Sequence, residues 1–233
     1  MSELWTCVLG TVEYRRAVEL QEQLRARVIA GELPDLLLLL EHPAVYTLGR
    51  RSESGDLPFG EDYWRAQGID VVRTQRGGKL TYHGPGQLVG YPIMHTTDVI
   101  AFLRTMERAI VAALAEEGVA ARGRDHEGPA YTGVWVEDRK IASIGVHLSK
   151  GVSAHGFAVN VDNDVAPFHQ VVACGLPDVR MTSMALETGR TGSLPCFRKR
   201  MAHAYAREHG LRQRIVTPRR LGIPTPASVP SLA

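Results

Sequence analysis

Apolar residues in this chain come either in short unbroken runs or at helical spacing, and the two kinds of segment alternate. The unbroken runs near the start predict buried strands at Leu4 to Leu9, Leu36 to Leu40 and Val45 to Leu48. Between the first two strands the apolar residues follow a helical period, which predicts a helix capped by Thr11 and ending near Ala30. The chain therefore begins as strand, helix, strand and strand.

The same two patterns continue through the rest of the chain. Further strands are predicted at Ile69 to Thr74, Leu88 to Met94, Val134 to Val136, Ile141 to Leu148 and Gly156 to Val161. Further helices are predicted at Glu61 to Gln67, Thr97 to Gly118 and Cys196 to Glu208. Because strands and helices mix without the regular alternation of a doubly wound sheet, we expect an α+β fold with a mixed β-sheet flanked by helices.

The length of 233 residues suits one large domain with a full core. We expect a single domain over residues 1–216. Residues 217–233 are rich in proline and poor in apolar mass, so we expect them to form a mobile C-terminal tail.

Composition and charge exclude several functional classes. The net charge of +2 is too small to indicate nucleic-acid binding. The longest apolar run, Leu36 to Leu40, is too short to cross a membrane, and the start of the chain lacks the pattern of a signal peptide. The three cysteines are widely spaced without a Cys-x-x-Cys pair, so we expect no metal site and a reducing, cytoplasmic location.

A glycine-rich segment runs from Arg76 to Gln87, with Lys79, Thr81, Tyr82 and His83 between its glycines. Such a segment lets the backbone approach a ligand closely, although a turn between strands would use glycine as well. The patterns of a phosphate-binding P-loop and of a dinucleotide-binding loop are absent from it.

Two separate residues, Lys140 and Cys174, are candidates for covalent chemistry. Cysteine reacts as the thiolate, and a nearby ammonium group favours that form. Taken alone, Lys140 at the start of a strand is typical of a solvated charge, and most cysteines outside disulfides are buried apolar residues. Gly175 follows the cysteine and would let the backbone turn tightly beside the sulfur.

Four segments together resemble the octanoyltransferases of lipoate synthesis. They are R-G-G-K-L-T-Y-H-G-P-G-Q-L-V-G-Y-P-I from Arg76, G-V-W-V from Gly133 leading to K-I-A-S-I-G-V-H from Lys140, H-G-F-A-V-N-V from His155, and A-C-G-L around Cys174. The resemblance implies the fold of the biotin and lipoate protein ligase catalytic domain. It also implies transfer of an octanoyl (or lipoyl) group from acyl carrier protein to a lysine of lipoyl domains in 2-oxoacid dehydrogenase and glycine cleavage proteins.

The resemblance also implies roles for single residues. Cys174 corresponds to the nucleophile and Lys140 to its partner. The corresponding acyl-binding positions are Arg76, Gly77, Gly78, Lys79, Leu80, Thr81, Tyr82, His83, Ser143, Ile144, Gly145, Gly156, Phe157 and Ala158. Of these, we expect Gly77, Gly78, Gly145, Gly156 and Ala158 to leave room for the acyl chain.

Thioester chemistry accounts for a cysteine in this role. Exchange of one thioester for another keeps the acyl group activated, so the reaction requires neither ATP nor a cofactor. As an ammonium, Lys140 would favour the thiolate, and as an amine it could accept the proton of the acceptor lysine. His83, His147 and His155 lie in the motif segments, so a cysteine–histidine pair remains an alternative to the cysteine–lysine pair.

Three other functions remain open at this point: an ATP-dependent lipoate or biotin ligase, a thiol hydrolase, and an acyl-binding module without catalysis. Free octanoate with ATP, release of octanoate, and function without Cys174 would distinguish them. The stretch from Phe197 to Arg220 is strongly basic, and we expect it to attract the acidic carrier protein. No contact with nucleic acid or membrane is expected.

Overall fold

A computed structural model describes residues 2–171 and 179–224. Cys174 and most of the predicted C-terminal tail therefore lie outside the described residues. In chain order the strands are β1 (Glu3–Thr11), β2 (Leu36–Glu41), β3 (Val45–Leu48), β4 (Asp70–Arg73), β5 (Leu80–His83), β6 (Gln87–Ile93), β7 (Arg122–Gly123), β8 (Gly133–Val136), β9 (Arg139–Ser149), β10 (Val152–Asn160), β11 (Arg180–Met181) and β12 (Arg212–Ile215). The α-helices are α1 (Tyr14–Ile29), α2 (Gly60–Ala66), α3 (Val99–Ala115), α4 (Met184–Thr188) and α5 (Leu194–Glu208).

Most strands form one large mixed sheet in the order β12-β1-β2-β6-β10-β9-β8-β7, with β11 beside β9. Strand β1 runs parallel to β12 and β2, β11 runs parallel to β9, and the remaining pairs of this sheet are antiparallel. A mixed sheet flanked by helices was the predicted architecture, and it is confirmed.

Strand β2 shows why the sheet is covered on both faces. All five of its leucines are fully buried. Leu37 and Leu39 pack with α3 and α5, whereas Leu36, Leu38 and Leu40 pack with α1. Successive side chains of a strand point to opposite faces, so an unbroken apolar run requires a layer on each side.

A small second sheet of β4, β3 and β5 lies beside the large one. Tyr46, Trp64 and Tyr82 form its core together with Phe168 and Met181. The first part of the glycine-rich segment, Arg76 to Lys79, lies in the connection from β4 to β5, so the small sheet fixes both ends of that connection.

The observed helix starts differ from the predicted ones by a few residues. Thr11 belongs to β1, and α1 begins after Glu13, whose carboxylate accepts the backbone N–H groups of Arg15 and Arg16. Helix α3 begins after Asp98, which accepts the N–H of Ala101. Both caps satisfy amide groups that the first helical turn leaves without partners.

Part of the predicted tail contacts the core. Pro218–Leu221 forms a turn of 3-10 helix, and Leu221 is buried against the layer that contains α1. Residues 225–233 lie outside the described residues, so the division of the chain at residue 216 stays a prediction. In the described part of the chain, helices are too short or too polar to cross a membrane.

Candidate active site

A cavity of about 420 Å³ lies between the glycine-rich segment, β9, β10 and the start of α3. Its lining includes these predicted residues: Arg76, Gly77, Gly78, Lys79, Leu80, Thr81, His83, Lys140, Ser143, Ile144, Gly145, Gly156, Phe157 and Ala158. The fold thus brings together segments that are far apart in sequence. Tyr82 is absent from the lining because its ring packs against Tyr46 and Phe168 in the core beside the small sheet.

The glycine-rich segment crosses from the small sheet onto β9. The N–H of Gly77 donates to the carbonyl of Val146 at 2.9 Å. A Cβ atom on Gly145 would lie 2.8 Å from the carbonyl oxygen of Gly77, so the close approach of the two backbones requires glycine there. Gly78 has a φ of +87°, which also favours glycine.

Arg76 fastens this segment to the small sheet. Its Nε donates to Thr47 Oγ1 at 3.1 Å, and its Nη2 donates to the Thr47 carbonyl at 2.5 Å. Arg76 is 8% exposed, and buried charges of this kind need several hydrogen bonds. Arg76 therefore contributes to the shape of the cavity as well as to its lining.

Lys140 is 2% exposed, unlike the solvated lysine that its position at a strand start would suggest. Its Nζ lies 5.2 Å from the centre of the Trp135 ring, within the range of a cation–π contact. The pairing of β8 with β9 shifts register between Val134 and Trp135, next to Lys140. Such bulges redirect side chains and are frequent beside active sites.

Strand β11 brings the chain back to Lys140 soon after the predicted nucleophile. Met181 pairs with Lys140, and the N–H of Thr182 donates to the Lys140 carbonyl at 3.0 Å. Cys174 precedes Met181 by seven residues (181 − 174). Its own position is among the residues that the structure does not describe, so its role stays a prediction.

The other two cysteines lie outside the cavity lining. Cys7 is buried in β1, and burial raises the pKa of its thiol to about 11. Cys196 is exposed near the start of α5. Neither lines the cavity.

Buried histidines and tyrosines form the polar part of the lining. Tyr14, His83, Tyr91 and His155 line the cavity. Burial, followed by the charge of Arg76, lowers the pKa of His155 to about 3. Burial also holds the pKa of His83 well below its usual value. Both rings are therefore neutral near pH 7 and are weak bases.

These pKa values bear on the alternative cysteine–histidine pair. His83 and His155 are too weakly basic to deprotonate a thiol efficiently near neutral pH. His147 is half-buried and does not line the cavity. Among the described residues of the motif segments, Lys140 is the stronger candidate for the partner of a thiol.

Several lining residues could not be identified from sequence patterns. Leu103 has the helical spacing of a core residue in α3, but the structure places it on the cavity wall. Ile100 lies near it and is 63% exposed. An exposed isoleucine in the first turn of an amphipathic helix is a weak signal, and it gains meaning only beside a cavity.

Comparison with known proteins shows which family the sequence of this chain matches. Residues 13–206 match the model of the lipoyl protein ligase A/B catalytic domain. An octanoyltransferase of Solibacter usitatus is 48% identical over 85% of this chain and 90% of its own length. One from Mycobacterium tuberculosis is 44% identical over 84% of this chain and 83% of its own length.

Solved structures show the same fold at low sequence identity. A lipoate protein ligase from T. acidophilum with bound lipoic acid has a TM-score of 0.74 and 20% identity, covering 92% of this chain and 89% of its own. Lipoate-protein ligase A bound with ATP has a TM-score of 0.72 and 19% identity, covering 93% and 89%. The predicted fold is confirmed, and this chain belongs to the lipoyl protein ligase A/B catalytic domain family.

Proposed function

We propose that the protein is an acyltransferase that moves an octanoyl group from acyl carrier protein to a lysine of lipoyl-domain proteins through a thioester on Cys174. The observation that carries the proposal is Lys140, a lysine buried in the wall of a cavity whose lining comes from the family's motif segments. The close similarity to octanoyltransferases over most of the chain supports octanoyl as the group transferred.

The first half-reaction exchanges one thioester for another. The thiolate of Cys174 attacks the donor's carbonyl carbon, a new carbon–sulfur bond forms, and the thiol of the carrier's pantetheine arm leaves as a thiolate and takes up a proton. An ammonium on Lys140 would favour the attacking thiolate. The acyl group stays activated, so the step consumes no ATP.

The second half-reaction transfers the group to an amine. The acceptor lysine attacks the acyl-enzyme as a neutral amine, an amide bond forms, and the carbon–sulfur bond to Cys174 breaks. The amine loses one proton in this step, and the departing thiolate gains one. As a neutral amine at this stage, Lys140 would relay that proton.

The cavity suits a medium-length acyl chain. Its volume of about 420 Å³ falls within the usual range for ligand sites, about 300–1,000 Å³. Val89, Leu103, Ile144, Val146 and Phe157 give it apolar walls. Burial of each methylene of the chain contributes about 0.8 kcal/mol to binding.

The test is to incubate the protein with octanoyl carrier protein and weigh the intact chain. We expect one octanoyl adduct, located by peptide mapping at Cys174 and discharged when a lipoyl domain is added. Cys174→Ser should lose turnover by several orders of magnitude, because a serine hydroxyl is far less nucleophilic near neutral pH.

Three outcomes would contradict the proposal. Normal turnover by Cys174→Ser would exclude the thioester intermediate. Transfer from free octanoate and ATP would indicate a ligase, and octanoate as the main product would indicate a hydrolase. Lys140→Ala, compared with the exposed-lysine variant Lys150→Ala as a control, tests the partner of the thiol separately.

We place the reaction in the cytoplasm. Few and widely spaced cysteines are typical of proteins in reducing compartments. Carrier-bound fatty acyl groups also fit that setting.

A further inference from the structure

Glu107 is a buried carboxylate on α3 that the proposed reaction does not use directly. The residue is 4% exposed. Its Oε1 accepts the backbone N–H of Gly133 at 2.8 Å, and its Oε2 pairs with the guanidinium of Arg104. A carboxylate this deeply buried is stable only with such partners, so its position is fixed from both sides.

Gly133, which Glu107 holds, lies directly against Lys140. Its φ is +135°, in the region that favours glycine. A Cβ atom on Gly133 would lie 2.7 Å from Cε of Lys140 and 3.3 Å from its Nζ. The end of the lysine side chain therefore occupies the space that the missing side chain of Gly133 leaves open.

Trp135 bounds the same space. Trp135 on β8 pairs with Lys140 on β9, and the centre of its ring lies 5.2 Å from Nζ of Lys140. The Trp135 ring is itself fixed by burial and by donation from its Nε1 to the Tyr131 carbonyl at 2.9 Å. The Nζ of Lys140 thus lies between the Trp135 ring and the backbone at Gly133.

We propose that Glu107 is a positioning residue for Lys140. Its hydrogen bond sets the backbone of Gly133, and that backbone sets where the lysine Nζ sits in the cavity. Helix α3 also lines the cavity through Leu103 and Arg104. The same helix would therefore form part of the cavity wall and, through Glu107, position Lys140. This inference rests on the role of Lys140 in the proposed function.

Three substitutions separate the hydrogen bond from the charge. Glu107→Gln keeps an oxygen that can accept from Gly133. Glu107→Leu removes the acceptor, and Glu107→Asp keeps the charge beside Arg104 but withdraws the oxygen from Gly133. The readouts are kcat and KM for octanoyl transfer and the NMR resonance of Lys140 13Cε, which requires no turnover.

We expect Glu107→Leu to lower kcat about 100-fold with little change in KM, since a catalytic group misplaced by ~1 Å costs about that much. Glu107→Asp should lower kcat by a similar factor. The kcat of Glu107→Gln should stay within about fivefold of the wild-type value, because one hydrogen bond of similar geometry remains. The chemical shift of Lys140 13Cε should change in Glu107→Leu and Glu107→Asp and should be unchanged in Glu107→Gln.

Leu114→Ala is the matched control. Leu114 is a fully buried residue of the same helix that lies outside the cavity lining, so its loss destabilises α3 without touching Gly133. It should lower the thermal midpoint and leave kcat and the Lys140 resonance unchanged. A wild-type kcat and an unmoved resonance in both Glu107→Leu and Glu107→Asp would overturn the proposal.

The proposed function can fail independently. If wild-type protein forms no octanoyl adduct, the reaction is wrong, while the resonance still reports whether Glu107 positions Lys140. If Lys140→Ala is inactive and the Glu107 variants are fully active with an unmoved resonance, the reaction stands and the positioning role is wrong.

Discussion

Two glycines of the motif segments are explained by neighbouring backbones more directly than by a ligand. Gly145 faces the carbonyl of Gly77, and a Cβ on Gly156 would collide with the carbonyl of Gly90 and the ring of Pro92. Sequence patterns indicated small residues at these positions and predicted space for an acyl chain. The carbonyls that require glycine come from distant segments, so this reason could not be found by spacing along the chain.

Ala158 is a better position for testing the width of the cavity. It lines the cavity from β10 and is 5% exposed. Ala158→Leu should shift preference from octanoyl toward hexanoyl donors. Excluding two methylenes forfeits about 1.6 kcal/mol, so the ratio of kcat/KM values should change about tenfold.

The measurement is kcat/KM with hexanoyl, octanoyl and decanoyl carrier protein. Ala154→Val serves as a control, because Ala154 is buried in the same strand outside the cavity lining. An unchanged chain-length profile in Ala158→Leu would show that the acyl chain does not pass this residue.

Buried neutral histidines make stability depend on pH. Burial lowers the pKa of His42 to about 4 and that of His155 to about 3, from an ordinary value of 6.5. The unfolded chain binds these protons at a higher pH than the folded chain does. Stability should therefore be complete above pH 6.5 and be lost progressively as the pH falls toward 3, by about 1.4 kcal/mol per pH unit for each such histidine.

Urea unfolding between pH 7 and pH 5 measures this slope. His42 accepts from Tyr91 through Nε2 and contacts the Val12 carbonyl through Nδ1, so His42→Gln should lower stability at pH 7 but show a shallower slope. His203→Gln, at an exposed position of α5, should leave the slope as it is. Equal slopes in all three proteins would contradict the assignment to buried rings.

At the scale of elements, β2 carries the strongest stability prediction. Leu38 is fully buried in the layer beneath α1, whereas Val8 in neighbouring β1 is 39% exposed. Leu38→Ala should cost about 2–5 kcal/mol of unfolding free energy, through lost burial and the cavity that remains. Val8→Ala should cost much less, and similar losses in urea unfolding would contradict the two-layer arrangement.

Long apolar elements and the short helix α2 were predictable from sequence, whereas the short strands β7, β11 and β12 were not. The apolar runs of β2 and β3 and the periodic spacing in α1, α3 and α5 located those elements within a few residues. Strand β12 reads R-Q-R-I, and β7 and β11 have two residues each, so none carries a periodic signal. These short strands form because longer neighbouring strands offer hydrogen-bonding partners. Which strands become neighbours is set by the whole fold and cannot be found in the local sequence.

The same limit applies to the site. Lys140 and the lining segments could be named by their resemblance to a family, but the burial of Lys140 could not, because lysine at a strand start is ordinarily exposed. Gly133 and Glu107 contact only through folding of α3 against β8. Their relation has no counterpart in the spacing of the sequence.

At the scale of the whole molecule, the basic C-terminal stretch lies outside the cavity lining, and its strand β12 is at the edge of the large sheet. Strand β12 is separated by β1 and β2 from β6, whose Val89 and Tyr91 line the cavity, or roughly 14 Å at the usual strand spacing. Arg212 and Arg214 pair there with Glu3, and Arg200 on α5 pairs with Glu117. Much of this charge is therefore balanced locally, which weakens the expectation that it attracts the carrier.

Arg51 is better placed to attract the proposed carrier protein. It lines the cavity and is exposed, while Lys79 beside it pairs with Glu53 and Asp56. Arg51→Glu should lower kcat/KM for octanoyl carrier protein about tenfold at low salt, and the deficit should fade near 1 M salt, where charges are screened beyond about 3 Å. Arg214→Glu should have a smaller effect.

Octanoyl-pantetheine, which lacks the carrier, provides the control for this charge effect. Its kcat/KM should be nearly equal in wild type and Arg51→Glu. Equal losses with both donors would assign Arg51 to the cavity itself instead of to the carrier.

The walls of the cavity belong to two different sheets, since the glycine-rich segment is anchored in the small sheet and rests on β9 of the large one. The hydrogen bond from the Gly77 N–H to the Val146 carbonyl therefore joins the two sheets beside the cavity. Slight separation of the two sheets at this point would widen the cavity for an entering acyl chain. The exchange rate of the Gly77 amide hydrogen with deuterated solvent would report how often this hydrogen bond opens.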